Sequence, residues 1–275
     1  NKRYNNRVYS LPQEKLKIIE GWPFIYWISD EFRAKFKEKA LDDELAIRQG
    51  IATGNNEKFL RFHWEIEKNS IYTGSNTKKF VFYSKGGPYN KWFGNIWLTI
   101  KFDDKAYNEL SIQGNHLPSR QHYFQEGITY SSTSSKGPSF RYFAEFQLFD
   151  GKGSCVFRNE DSTSTLYYYI ALLNSKLVTY IAQCLNSTVE TTQGDLKRIP
   201  FVQPPQLLED NISALATENV AIKKRLSTYR IIETNYEQNP LLGYTDTALK
   251  DRLLAYLNNE NALFTQVLLN EAVIN

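Results

Sequence analysis

Residues 79–102 read KFVFYSKGGPYNKWFGNIWLTIKF. Two runs rich in β-branched and aromatic side chains, 79–84 and 95–102, flank a Gly-Gly-Pro punctuation, the pattern of strands joined by a loop. A third run, residues 141–149 (RYFAEFQLF), closes on Asp150-Gly151, a strong signal for a two-residue hairpin turn. Gly, Asn and Ser break residues 47–157 into further short runs of this kind, so that stretch is expected to be mainly β.

The pattern changes on either side. Upstream, the apolar residues 25–28 precede a charged helical stretch over 29–40, with Ser29 and Asp30 placed to cap it. Downstream, Leu166, Ile170, Leu173, Leu177, Tyr180 and Ile181 recur at three- and four-residue spacing, which predicts a helix over 166–185 ending at Asn186-Ser187. Pro204-Pro205 cannot continue a helix and marks a boundary. Beyond it, helices are expected over 206–236 and 246–258, with a third following. The expected fold class is α+β. A lead-in segment and helix (1–40) precede a mainly β domain with packed helices (41–202), and a smaller helical region (203–275) follows.

Composition narrows the function classes. Lys plus Arg number 33 against 30 Asp plus Glu, and a net charge of +3 is too small to announce a nucleic-acid partner by itself. Its distribution is uneven: residues 203–275 carry six basic and nine acidic side chains, hence −3, which leaves +6 for residues 1–202. Only two cysteines occur, Cys155 and Cys184, with no nearby ligand partners, so neither a disulfide scaffold nor a structural zinc site is written here. No apolar run reaches the roughly 18 to 20 residues of a membrane-spanning helix. A cytoplasmic location without membrane contact is expected. The chain starts at Asn1 and contains no methionine, which suggests a piece of a longer protein.

Motifs for self-contained chemistry are missing. Lys85-Gly86-Gly87-Pro88 and Gly151-Lys152-Gly153 lack the strand–turn–helix spacing of a nucleotide loop and read as turns. His63, His116 and His122 form no ligand cluster. Asp103-Asp104-Lys105 supplies the Asp-x-Lys fragment of a magnesium-dependent nuclease, but it follows a strand where turn residues belong. Asp42, Asp43 and Glu44 complement the dipole of a short helix. No catalytic, cofactor-binding or metal-binding residue is therefore expected in this chain.

Three loops instead carry the basic, amide, hydroxyl and aromatic residues suited to phosphate anchoring and base-edge contact. Residues 48–56 (RQGIATGNN) offer donors on Arg48, Gln49, Thr53 and Asn55. Residues 85–92 (KGGPYNKW) interleave two lysines with Tyr89 and Trp92. Residues 127–141 place a run of Ser and Thr before Lys136 and Arg141. Each has a bland alternative as a turn, an aromatic-anchored hairpin loop or a surface connection. The candidate DNA contacts are Arg48, Thr53, Asn55, Lys85, Tyr89, Lys91, Ser132, Ser134, Lys136 and Arg141.

Five segments in order, 50–66 (GIATGNNEKFLRFHWEI), 85–95 (KGGPYNKWFGN), 123–143 (YFQEGITYSSTSSKGPSFRYF), 171–187 (ALLNSKLVTYIAQCLNS) and 194–200 (GDLKRIP), give the chain a family likeness. It resembles the C-terminal target-recognition region of PglX-like adenine-specific DNA methyltransferases of BREX phage-defence systems, and of their type IIG restriction-modification relatives. The resemblance implies a parent protein that uses S-adenosylmethionine to methylate adenine, while the present region reads double-stranded DNA. The implied partners are duplex DNA, the catalytic domain of the same parent chain and other phage-defence components. The glycine-rich cofactor turn and the Asn-Pro-Pro-aromatic tetrapeptide of such enzymes are absent from this sequence. Enzymatic activity is thus expected of the parent and not of this chain. The rival readings are a protein-interaction module and, further off, the self-contained nuclease.

Overall fold

The runs rich in β-branched and aromatic residues become strands, and their alternation decides which layer each side chain joins. The computed structural model describes residues 10–75 and 79–275; residues 1–9 of the expected lead-in lie outside the described residues. Short helices α1 (Gln13–Leu16) and α2 (Asp30–Ala34) come first, and the Ser29 hydroxyl caps α2 by accepting from the Phe32 N–H. α3 (Leu41–Glu44) runs directly into β1 (Leu45–Arg48), and α4 (Asn56–Phe59) into β2 (Leu60–Phe62). β3 (Phe80–Ser84), β4 (Leu98–Lys101) and α5 (Asp104–Ile112) follow. Next come β5 (Gly127–Tyr130), β6 (Phe140–Phe143), β7 (Gln147–Phe149) and β8 (Cys155–Arg158). The chain finishes in helices α6 (Leu166–Asn174), α7 (Lys176–Leu185), α8 (Gln193–Lys197), α9 (Gln206–Ser227) and α10 (Leu249–Ile274).

Among the described residues the strands form two four-stranded sheets, ordered β1-β8-β5-β6 and β2-β4-β3-β7. The first is antiparallel throughout. Its two-residue period splits its side chains between two cores. Leu45 and Ile47 of β1 and Val156 of β8 pack with α6, α7 and α9, whereas Ala46, Cys155 and Phe157 pack with Val81, Tyr83, Ile100 and Leu148 of the second sheet. The first sheet is thus the middle of three layers, and the protein is α+β as expected. Each fully buried Leu, Ile, Val or Phe contributes about 1.5–3 kcal/mol through removal from water. The inner faces of α9 and α10 join the core on α6 through Ala216, Val220, Leu226 and Val267. No described helix is long and apolar enough to cross a membrane.

Sequence expectations fail at several points: α2 and α9 are shorter than the helices expected over 29–40 and 206–236, and four further differences have identifiable reasons. Residues 141–149 are not one strand: β6 pairs with β5 in the first sheet, while β7 leaves to pair in parallel with β3 in the second. Asp150-Gly151 is accordingly no hairpin turn, because β8, which follows it, returns to the first sheet between β1 and β5. The helix over 166–185 breaks at Ser175, whose extended backbone (φ −69°, ψ 157°) ends α6 while its hydroxyl caps α7. Asn174 reinforces the break by hydrogen bonding both the N–H (3.0 Å) and the carbonyl (2.9 Å) of Phe140 on β6. Finally, the two helices expected after residue 246 are the single helix α10.

The end of the first sheet where β1 begins is closed around a carboxylate. Glu44 is fully buried and accepts from Lys39, from the Tyr169 hydroxyl, and from the N–H (2.8 Å) and hydroxyl (2.9 Å) of Thr163. Burial pulls its pKa upward, but these bonds outweigh that and hold it below the ordinary carboxylate range. Its role exceeds the dipole complement expected from sequence: it ties α3, α6 and the β8–α6 connection together.

Candidate nucleic-acid interface

At the opposite end the strands deliver their loops together. β1 stops at Arg48 opposite the first residue of β8, Cys155, and β5 stops at Tyr130 opposite the first residue of β6, Phe140. β3 and β7 run in parallel and finish in register at Ser84 and Phe149. The two sheets share this end, since Ile51 just beyond β1 bridges Asp150 just beyond β7. The loops after β1, after β3 and between β5 and β6, far apart in sequence, therefore form one rim. The β7–β8 connection, residues 150–154, joins them and adds the exposed Lys152, which its reading as a turn had hidden.

The rim is buttressed from beneath. The Tyr83 hydroxyl donates to the carbonyl of Ile51 (2.6 Å) and hydrogen bonds the Asp150 carboxylate (2.7 Å), which joins the first loop to the fourth. Burial first, then Asp150, drives the Tyr83 pKa well above its usual value, so it stays a neutral hydroxyl. Gly50 must lack a side chain: a Cβ there would lie 1.9 Å from the Phe149 carbonyl oxygen. Gly86 (φ 81°) and Gly87 (φ 102°) supply the left-handed backbone by which the second loop turns onto Pro88. The third loop leans on residues 188–191, with the Ser134 N–H donating to the Val189 carbonyl (2.9 Å) and the Thr191 N–H to that of Ser132 (2.7 Å).

The candidate contact residues divide. Arg48, Lys85, Tyr89, Ser132, Ser134 and Lys136 lie on the rim with partial or full exposure, and the Lys136 ammonium sits 5.7 Å from the centre of the Tyr89 ring. Lys85 lies 3.9 Å from Asp150. The other four are committed elsewhere. Lys91 donates to the Asn174 carbonyl (2.9 Å) beside Glu271 (3.9 Å); burial lowers its pKa and Glu271 partly offsets that. Thr53 is buried and donates to the Asn56 side chain (2.8 Å), while the Asn55 side-chain oxygen caps α4 by accepting from the Lys58 N–H (3.0 Å).

Arg141 is the clearest departure. It is wholly buried, because in β6 it alternates with Phe140 and Tyr142 and so points between the sheets. Its guanidinium lies among the Asn90 carbonyl (3.3 Å), the Ser131 hydroxyl (3.2 Å), the Ser139 carbonyl (3.3 Å) and the Gly86 carbonyl (3.4 Å). Burial lowers its pKa to about 10, against the pull of Cys155 and Glu233, so it is charged at neutral pH.

The remaining motifs are structural. The Asp103 carboxylate caps α5 by accepting from the Ala106 N–H (2.9 Å), and no group of His, Cys, Asp and Glu suited to a metal ion occurs among the described residues. Gly151 and Gly153 belong to the β7–β8 connection, and no helix begins at them or at Gly86-Gly87, so they do not fit a nucleotide or S-adenosylmethionine cradle.

No family model matches the chain. Two curated proteins do. The chain is 29% identical over 266 residues to the adenine-specific methyltransferase BrxX of Escherichia coli O9:H4 (strain HS), which is 96% of this chain and 21% of that protein. It is 31% identical over 224 residues to the adenine-specific methyltransferase PglX of Lacticaseibacillus casei (strain Zhang), 74% of this chain and 18% of that one. The likeness carried by the five segments thus extends over nearly the whole sequence, and the chain spans about a fifth of the length of these relatives. Among solved structures, the type IIL restriction-modification enzyme MmeI in complex with DNA overlaps 80% of this chain and 36% of its own, with a TM-score of 0.45 and 12% identity.

Proposed function

We propose that this chain is the target-recognition part of an S-adenosylmethionine-dependent, adenine-specific DNA methyltransferase of a phage-defence or restriction-modification system, and that it reads duplex DNA with the rim of its two sheets. The observation that carries the reading is the convergence of four connections, separate in sequence, into one rim bearing Arg48, Lys85, Tyr89, Ser132, Ser134, Lys136 and Lys152. Lysine and arginine there set register on phosphates, while hydroxyl and aromatic side chains meet base edges. The similarity to two adenine-specific methyltransferases supports a parent of that activity. In such a parent the catalytic portion would supply the cofactor site and extrude the adenine, acting in the cytoplasm with other defence components.

The test is a titration of the chain with a randomised duplex pool across salt concentrations. The expected result is affinity that falls steeply with salt and a subset of sequences retained above the rest. Absence of binding to any duplex at low salt would overturn the reading. A protein contact is favoured for one other surface: Leu249, Leu253, Leu254, Leu257 and Leu268 are exposed on α10, which suits docking of the helical region against another part of the parent.

A further inference from the structure

We infer that Arg141 is a positioning residue for sequence reading: without touching DNA, it holds the second and third rim loops at the spacing that lets their side chains address bases together. The inference rests on the DNA-reading proposal above. Its basis is the set of atoms the guanidinium gathers. Gly86 and Asn90 belong to the loop after β3, and Ser131 and Ser139 are the two ends of the loop between β5 and β6. Three of these four acceptors are peptide carbonyls; the Gly86 carbonyl also accepts from Asn95, whereas those of Asn90 and Ser139 have Arg141 as their donor beside a wholly buried side chain. Arg141 makes no ion pair among the described residues: its guanidinium is hydrogen bonded by loop oxygens, and Glu233 favours its charge only from beyond ion-pair distance.

Neighbouring bonds make the same junction. The Asn90 N–H donates to the Ser139 hydroxyl (3.3 Å), and the Asn95 amide donates to the carbonyls of Gly86 (3.1 Å) and Pro88 (2.8 Å). The proposed reading side chains sit next to these anchors: Tyr89 between Pro88 and Asn90, and Ser132 directly after Ser131. A planar fork can hold acceptors from two loops at once, whereas an ammonium on a flexible stem cannot reproduce that span. Displacing an anchor displaces its reader, and base discrimination tolerates such shifts less well than phosphate attraction does.

The experiment compares wild type, Arg141→Lys and Ser131→Ala on two duplexes at one salt concentration: the sequence that wild type enriches from a randomised pool, and a scrambled version of it. Arg141→Lys keeps the charge. It is expected to bind the scrambled duplex within about twofold of wild type while its preference for the selected duplex falls about tenfold or more. Ser131→Ala, which removes one acceptor and leaves the fork, is expected to lose about threefold of the preference and carries the test if Arg141→Lys does not fold. A purely structural role would lower binding to both duplexes together, and that result, or an unchanged preference in the folded variants, overturns the inference. A wild-type chain with no preference for any duplex would instead sink the DNA reading itself, and this inference with it.

Discussion

The two ends of the first sheet each bury a charge, and they do so in opposite ways. Where β1 begins, Glu44 meets a cation and two hydroxyls, and its charge is compensated on the spot. Where β5 hands over to β6, the Arg141 guanidinium hydrogen bonds only neutral oxygens, and the buried Glu233 favours its charge without pairing with it. Closed compensation marks the end that holds the fold. A buried cation with no direct ion pair, under a rim of lysines, marks the end suited to an anionic partner. The contrast would break if disturbing Glu44 altered DNA binding in the folded protein, or if disturbing the rim altered stability.

The largest effect is expected from Glu44→Ala. It strips the acceptor from the fully buried Tyr169, while the exposed Thr163 and the half-exposed Lys39 can return to water. The loss should be about 3 kcal/mol in denaturant unfolding, in the range of breaking a buried charged network from one side. Duplex affinity measured well below the melting temperature should stay within about twofold of wild type.

Acid should destabilise the fold with a smaller loss. Glu44 is joined by Asp195, for which burial raises the pKa but bonds from Asn186, Thr192 and Arg198 bring it below the usual range. Carboxylates with depressed folded pKa values contribute stability that is complete above their unfolded values and is lost as pH falls through the folded ones. Melting temperature should therefore be flat with respect to these groups above about pH 5 and decline below it. Glu44→Gln, already less stable, should show a shallower decline. A variant with the wild-type acid limb would show that this carboxylate is not what closes the first end.

The two ends also differ in how openly the sequence displays them. The rim was legible in outline: Gly86-Gly87-Pro88, the Ser and Thr run after residue 128 and the donors around Gly50 mark loops, because left-handed backbone and hydroxyl runs are written in residue type. That they share one end was not legible, since it depends on β7 leaving one sheet for the other, a nonlocal pairing that residues 141–149 do not signal. The same gap misplaced Arg141. A basic residue after a polar loop looks exposed until the strand register turns it inward. Glu44 was hidden for a related reason, as an acidic run at a helix start already has a local explanation and its partners Tyr169 and Thr163 lie about 120 residues on. Asn174 and Ser175 gave a local signal in the middle of a helical period, and it was outweighed by the apolar spacing on either side.

Removing one positive charge at each end is expected to have the smallest effect and to separate them most cleanly. Lys152 on the rim and Lys37, which precedes α3 at the closed end, are both exposed, so replacing either with Ala should change stability by no more than about 0.5 kcal/mol. Their effects on duplex binding should differ. If the rim faces phosphate, Lys152→Ala reduces by about one the slope of log affinity against log salt, because one fewer counterion is released on binding. Lys37→Ala, a charge in the segment leading into α3 and not on the rim, should leave that slope unchanged, because exposed charges are screened beyond a Debye length of about 8 Å. Equal slopes for the two variants would mean that DNA does not distinguish the ends, and that the buried charge of Arg141 concerns the fold alone.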